Sequence, residues 1–228
     1  MIQQTSENTP SIKSLALLIS GADAAKFLQG QLTCDVIALA DGQSTLGAYC
    51  NIKGKIESLF TIQRFGDEFI LSMHPDLVAP TMQELKKYAV FSKVNMEIAE
   101  QPFSNPDNTA EILAKIPALF PQTVGEFFPH DLNLPTLGAV SFTKGCYRGQ
   151  EIVARMQHRG NLKRSMHIFK TASTTINPGD QVITNTGNPS GSVVRVHPTP
   201  EGLIGLAVIT DSQIKEPLYV NGTAIECV

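Results

Sequence analysis

Lys144-Gly145-Cys146-Tyr147-Arg148-Gly149-Gln150-Glu151 is the stretch on which the reading of this 228-residue chain turns. Glycines flank a Cys–Tyr core closely, which permits a tight loop and close approach of backbone to a ligand. Lys144 and Arg148 stand two residues to either side of the thiol. Where such cations converge on a cysteine they favour the thiolate, and an exposed electropositive cysteine serves as nucleophile, redox sensor or metal ligand. The competing reading is that Cys146 is a small buried hydrophobe and that Gly145 and Gly149 merely turn the chain. The stretch taken alone leaves both open. Gln150 and Glu151 open the apolar run Ile152-Val153-Ala154, with Glu151 in the first turn of a helix or at a strand start.

Outward from the motif, charge is uneven. Between Lys144 and His167 there are six cations (Lys144, Arg148, Arg155, Arg159, Lys163, Arg164) and one acid, Glu151, on a chain of net charge −3. A cationic segment on an acidic body is an address for an anionic partner. Alternatively, these charges pair with acids elsewhere or form a solvated face.

Upstream, periodicity predicts an α+β layer. Leu15 to Ser20 reads as a strand bounded by Gly21, and Asp23 as the N-cap of a helix carrying Ala24, Phe27, Leu28 and Leu32 on one face. Strand-like runs follow at Ser44 to Cys50, Ile56 to Ile62 and Phe69 to Met73, broken by turns at 51–55 and 64–68. Leu77, Val78, Met82 and Leu85 return to helical period from Asp76 to about Tyr88, and Val94 to Ala99 is strand-like again. This order places helices on an antiparallel sheet. Gln101 to Asp107 reads as a polar, proline-broken connection, Ala110 to Ile116 as a short helix stopping before Pro117, and Phe120 to Leu137 as ordered loop with an exposed turn at Gly125 to Phe128.

After Leu162 come six short strand candidates: Ser165 to Thr171, Gln181 to Thr184, Ser192 to His197, Leu203 to Ile209, Pro217 to Val220 and Thr223 to Val228. Asn221-Gly222 is a two-residue hairpin signal, because both positions accept positive φ. Regular short strands with such turns predict a small β-barrel. The expected division is an N-terminal α+β subdomain (1–100), a shortened middle subdomain with the motif (101–161) and a C-terminal β-barrel (162–228).

The composition, 42% apolar and 17% charged, is that of an ordinary globular protein, and no apolar run approaches a membrane span of about 20 residues. Met1 to Lys13 is polar, lacks the order of a signal peptide and reads as a disordered tail, so a cytoplasmic protein is expected. Cys34, Cys50, Cys146 and Cys227 form no C-x-x-C pair, no disulfide framework and no clustered ligand set for zinc or iron–sulfur. Cys50 and Cys227 end strand candidates and are expected in the core; Cys34, after a helix, is expected to be partly exposed. His74, His130, His158, His167 and His197 are scattered, so no metal role is assigned. Glu57 and Asp67 lie near the 51–55 turn without forming a clear acid/base pair.

The motif, followed by Val153-Ala154-Arg155 and the Arg159-to-Arg164 segment, resembles the K-G-C-Y-x-G-Q-E signature of the YgfZ family, itself similar in fold to the aminomethyltransferase of the glycine cleavage system. Phe27 to Thr33, Asn51 to Lys55, Leu85 to Val94, Phe128 to Leu134 and the strand at Gly191 to Val194 resemble family segments in the same order. The resemblance implies an α+β, aminomethyltransferase-like ring of three subdomains around a folate-shaped hole, with antiparallel sheets and a C-terminal β-barrel. It implies a folate-binding-type accessory protein that supports iron–sulfur cluster assembly or repair and iron–sulfur-dependent tRNA modification. Cys146 and Lys144 would then be catalytic, and Asn51, Lys53, Gly145, Tyr147, Arg148, Gly149, Gln150, Glu151 and Arg155 would bind tetrahydrofolate or a derivative. The implied partners are a folate-type small molecule and iron–sulfur client enzymes, with an indirect link to tRNA and no membrane. Three features depart from the family: a shortened middle at Asn95 to Ala110, Pro117 where relatives carry an acid, and no tryptophan. Folate-dependent aminomethyl transfer, and a tRNA- or protein-binding module using the cationic segment 144–167, stand as alternatives.

Overall fold

Runs in which apolar residues alternate with, or crowd out, polar ones build the first sheet of this computed structural model, which describes residues 14–101, 108–160 and 162–228. The expected N-terminal tail, residues 102–107 of the expected connection, and Asn161 lie outside the described residues. β1 (Ser14–Ser20), β2 (Ser44–Cys50), β3 (Ile56–Phe65), β4 (Glu68–Ser72) and β5 (Asn95–Gln101) pair in the order β2-β3-β4-β1-β5, antiparallel throughout. Leu17, Ile19, Ile62, Phe69 and Leu71 from this sheet share a core with Phe27 and Leu28 of α1 (Ala24–Gln31) and Val78 and Leu85 of α2 (Pro75–Lys86). Each such side chain contributes about 1.5–3 kcal/mol on burial.

Asp23 occupies the N-cap position of α1 but makes no side-chain cap bond. Its carboxylate instead accepts from Lys93 N at 2.7 Å, tying the helix start to the chain before β5. α2 starts with Pro75 at N1 and stops at Lys86, two residues short of expectation. The chain then turns outward, leaving Tyr88, Val90 and Phe91 exposed.

β6 (Arg164–Thr171), β7 (Gln181–Thr184), β8 (Pro189–Thr199), β9 (Gly202–Thr210), β10 (Leu218–Val220) and β11 (Thr223–Cys227) close into a barrel ordered β10-β11-β6-β9-β8-β7. Closure leaves no open strand edge. Phe169, Val182, Val193, Leu203, Ala207, Ile209 and Val220 fill one of its cores. Asn221 (φ 51°) and Gly222 (φ 78°) make the hairpin between β10 and β11 as expected.

The chain between sheet and barrel carries the surprises. α3 spans Asn108–Leu113, earlier than expected, because Arg195 of β8 reaches back to it. The buried guanidinium donates to Asn108 Oδ1 (2.7 Å), Glu111 Oε2 (2.9 Å) and the Ile116 carbonyl (3.1 Å). Phe120 to Leu137 is the expected ordered loop, with one 3-10 turn at Pro121–Thr123. The turn at 125–128 is not the exposed one expected: Gly125 N and Phe127 O bond to Ile56, which buries Phe127 completely. With Leu119, Leu132 and Leu134, Phe127 fills a seam that also takes Ala48, Cys50 and Ile56 from the sheet, Val153 from α4 (Gln150–Arg159), and Met166, Leu206 and Val208 from the barrel. No helix of the described residues is long and apolar enough to cross a membrane.

Candidate functional site

The motif forms a loop that leads into α4. Gly149 is the N-cap of that helix with φ 81°, and a Cβ there would meet the Asn51 carbonyl oxygen at 2.5 Å. Two requirements therefore fall on one glycine, and they explain why the 51–55 turn and the motif touch. Asn51 Oδ1 accepts from Lys53 N (2.9 Å) and Lys55 N (3.1 Å), which shapes the turn. Gly54 packs on Ile152 of α4, whose Cβ lies 3.0 Å from where a Cβ of Gly54 would be. Gly145 has neither constraint: its φ is not positive, and a Cβ there would meet open space.

Cys146 is exposed. It lines a cleft of about 600 Å³ together with Ile52, Tyr147, Arg148, Gly149, Gln150, Glu151 and Ala154. Of the alternatives left open by the sequence, the buried-hydrophobe reading is excluded for Cys146 and holds for two other cysteines. Cys34, expected to be partly exposed, is 1% exposed because it packs under Gly47 in the sheet core. Burial pushes its thiol up to about 11, with Lys144 acting against the shift, and pushes that of Cys50 up to about 12. Cys227 is half-buried.

The convergence of Lys144 and Arg148 on the thiol does not occur. Lys144 Nζ donates to the carbonyls of Gln29 (2.7 Å), Leu32 (2.6 Å) and Cys34 (2.8 Å). Burial pulls its pKa down to about 8, opposed by Cys34 and Asp35. Arg148 Nη1 donates to the Tyr49 hydroxyl and to Glu57 Oε2 (3.3 Å), and the guanidinium lies 4.9 Å and 5.2 Å from the ring centres of Tyr49 and Tyr88. Both cations therefore anchor the loop ends. Tyr147 is buried, and Gln150 Oε1 accepts from its N–H at 3.4 Å.

Of the remaining expected residues, Glu151 pairs with Arg155 at 2.7 Å on the exposed face of α4, a surface i,i+4 pair of little energetic weight. Lys53 is exposed at the tip of its turn, next to Ile52. Arg164 makes a two-point contact with buried Asp131 (3.0 and 2.6 Å). Three of the six cations in the basic segment, Lys144, Arg148 and Arg164, are thus committed within the fold and Arg155 shares an exposed pair, so much of the segment is internal pairing. Among the described residues no group of three or more His, Cys, Asp or Glu is placed to hold a metal ion.

Residue-level reading missed Tyr49, Tyr88 and the α1 carbonyls, and set Glu57 aside. No local signal marks them, since their contacts join residues 60 to 115 positions apart. Two atoms in this region are buried without a hydrogen-bond partner among the described residues, Arg148 Nε and Tyr147 Oη. An orphaned guanidinium N–H beside the half-exposed ring of Tyr88 suits a flat heteroaromatic ligand with acceptor atoms at its edge. That donor set fits a folate-type heterocycle.

No family model matches the chain. It is 40% identical over 193 residues to an uncharacterized protein of Haemophilus influenzae, covering 67% of this chain and 69% of that one. It is 32% identical over 221 residues to the tRNA-modifying protein YgfZ of Vibrio atlanticus, covering 71% and 68%. With the tRNA-modifying protein YgfZ of Escherichia coli O157:H7 it shares 28% identity over 270 residues, 86% of this chain and 83% of that one. In fold it is similar to the glycine cleavage system aminomethyltransferase T of Bartonella henselae, with a TM-score of 0.71 at 16% identity over 95% of this chain and 83% of that one.

Proposed function

The chain belongs to the YgfZ family of tRNA-modifying proteins, and we propose that it is a folate-binding-type accessory protein supporting iron–sulfur enzymes of tRNA modification through the thiol of Cys146. The observation that carries this reading is an exposed cysteine at a cleft wall, on a loop whose two ends are anchored by Lys144 and Arg148. Such a thiol is presented to a macromolecular client at a fixed position, where its thiolate can ligate iron or attack a soft electrophile. Arg148, Tyr147 and Tyr88 would hold the heterocycle, and exposed Lys53 would meet an anionic tail. Folate, when bound, supplies a carrier for one-carbon units.

The likeness to an aminomethyltransferase favours a second reading, one-carbon transfer to or from tetrahydrofolate. Against it, the carboxylates beside the motif, Glu57 and Glu151, are each paired with an arginine and are poorly suited to proton transfer. The internal pairing of the basic segment likewise argues against a pure nucleic-acid-binding module, which needs free cations along its face.

Complementation of a strain lacking its native factor, read by growth and by modified nucleosides in bulk tRNA, tests the proposal. Wild type restores both, and Cys146→Ala restores neither while still binding tetrahydrofolate in titration. Equal rescue by the two proteins removes the thiol from the mechanism.

A further inference from the structure

The C-terminal end of α1 lacks something that helix ends usually obtain locally. Its last carbonyls have no intrahelical partner and carry partial negative charge, yet its last turn has no basic residue. The Gln29 carbonyl is left over because Thr33 N turns away to the Ala48 carbonyl at 2.9 Å. The Leu32 and Cys34 carbonyls gather beside it, and all three accept from Lys144 Nζ across 115, 112 and 110 residues of chain. Three acceptors match the three N–H bonds of an ammonium, whereas a neutral amine donates two.

We propose that Lys144 is a positioning residue, a tethered ammonium that plugs the carbonyl nest at the end of α1 and so fixes the loop presenting Cys146. For its functional consequence this rests on the role proposed for Cys146; the anchor itself does not. The nest has bonds of its own that do not involve the lysine. Gln29 clamps the following turn, donating to Asp35 Oδ1 (2.9 Å) and accepting from Val36 N (2.8 Å) and Ile37 N (3.2 Å). The motif side is laced to it as well, through Ser141 N to the Thr33 carbonyl (2.9 Å) and Lys144 N to Ser141 Oγ (3.2 Å). A partly buried lysine with a lowered pKa ordinarily invites a nucleophilic role. Here every N–H already faces a backbone carbonyl, so no face of the nitrogen is left for a substrate. Arginine is no substitute, since its planar fork cannot aim three N–H bonds at one compact nest.

Two measurements on purified protein test the anchor. In the first, folded wild type is reductively methylated: Lys53 reacts and Lys144 stays protected until the protein is unfolded. Labelling of Lys144 at the rate of Lys53 overturns the proposal. In the second, hydrogen exchange is followed at 29–35 and 142–148 in Lys144→Ala, or in Lys144→Met should the alanine variant not fold. Exchange in both segments rises about tenfold or more, as loss of charge-assisted bonds to three carbonyls requires. In Lys144→Ala, n-propylammonium, which replaces the missing atoms, restores protection; 1-propanol and tetramethylammonium do not. Unchanged exchange, or equal restoration by 1-propanol, overturns the ammonium plug. These readouts are independent of complementation, so a Cys146→Ala strain that grows normally would remove the thiol's role while leaving the anchor standing.

Discussion

Gly149 meets two demands that no other residue type meets together: a left-handed backbone at the start of α4 and contact with the Asn51 carbonyl. Gly149→Ala should therefore cost about 2–3 kcal/mol, from left-handed strain plus displacement of the 51–55 turn. Gly145→Ala, two residues beyond Tyr147 on the other side, should change stability by no more than about 0.5 kcal/mol. Urea denaturation of both variants checks this; equal losses would show that the loop needs flexibility at both glycines. The pair also shows how far the site could be read from sequence. The motif is legible because it is contiguous; the exposure of its thiol, which the stretch alone left open, is decided by the fold. The destinations of Lys144 and Arg148 are not legible either, because the carbonyls at the end of α1, Glu57 and Tyr49 reach the motif only through tertiary folding. Spacing suggested that both cations face Cys146, and the fold sends each away from it.

At the scale of elements, the strands and hairpins were legible and the connections less so, for one physical reason. β2 to β4 and the six barrel strands announce themselves through apolar runs bounded by turn residues, and these signals are local. α3 is set from outside: Arg195 of β8 binds Asn108, Glu111 and the Ile116 carbonyl, so a residue 79 to 87 positions away decides where the helix lies. Phe127 is likewise buried by pairing of its turn with Ile56 and not by any periodicity of its own. Arg195→Met should cost about 2 kcal/mol, less than breaking a fully buried pair, since the Glu111 side chain, 29% exposed, regains some hydration. Hydrogen exchange across 108–116 should accelerate before that of the barrel. A variant as stable as wild type, with unchanged exchange in α3, would mean that apolar contacts of Ile112 hold the helix unaided.

At the scale of the molecule, the seam between sheet and barrel holds a buried histidine that should make stability fall in acid. His130 lies in the loop that fills it, 5% exposed, with Nε2 bonded to Gln157 Oε1 of α4 at 3.1 Å and Nδ1 without a partner among the described residues. Protonation adds an N–H at that buried Nδ1, where no acceptor waits. Burial accordingly lowers the pKa of His130, against the opposing pull of the Gln157 bond and of Asp131. His167 of β6 is shifted the same way, by burial and then by Lys115, with Asp211 opposing. The unfolded chain takes up these protons near the ordinary value of 6.5 while the folded chain resists. Below that pH the unfolded state binds more protons, and stability falls as pH falls. Thermal unfolding midpoints should therefore drop between pH 7.5 and pH 5.5, beginning near 6.5. His130→Gln keeps a side chain able to bond Gln157 but cannot titrate, so its midpoint should fall less steeply, with a residual slope from His167. A variant with the slope of wild type would place the acid response outside the seam, in the carboxylates; a flatter slope assigns it to the loop that joins α4, and with it the motif, to the rest of the fold.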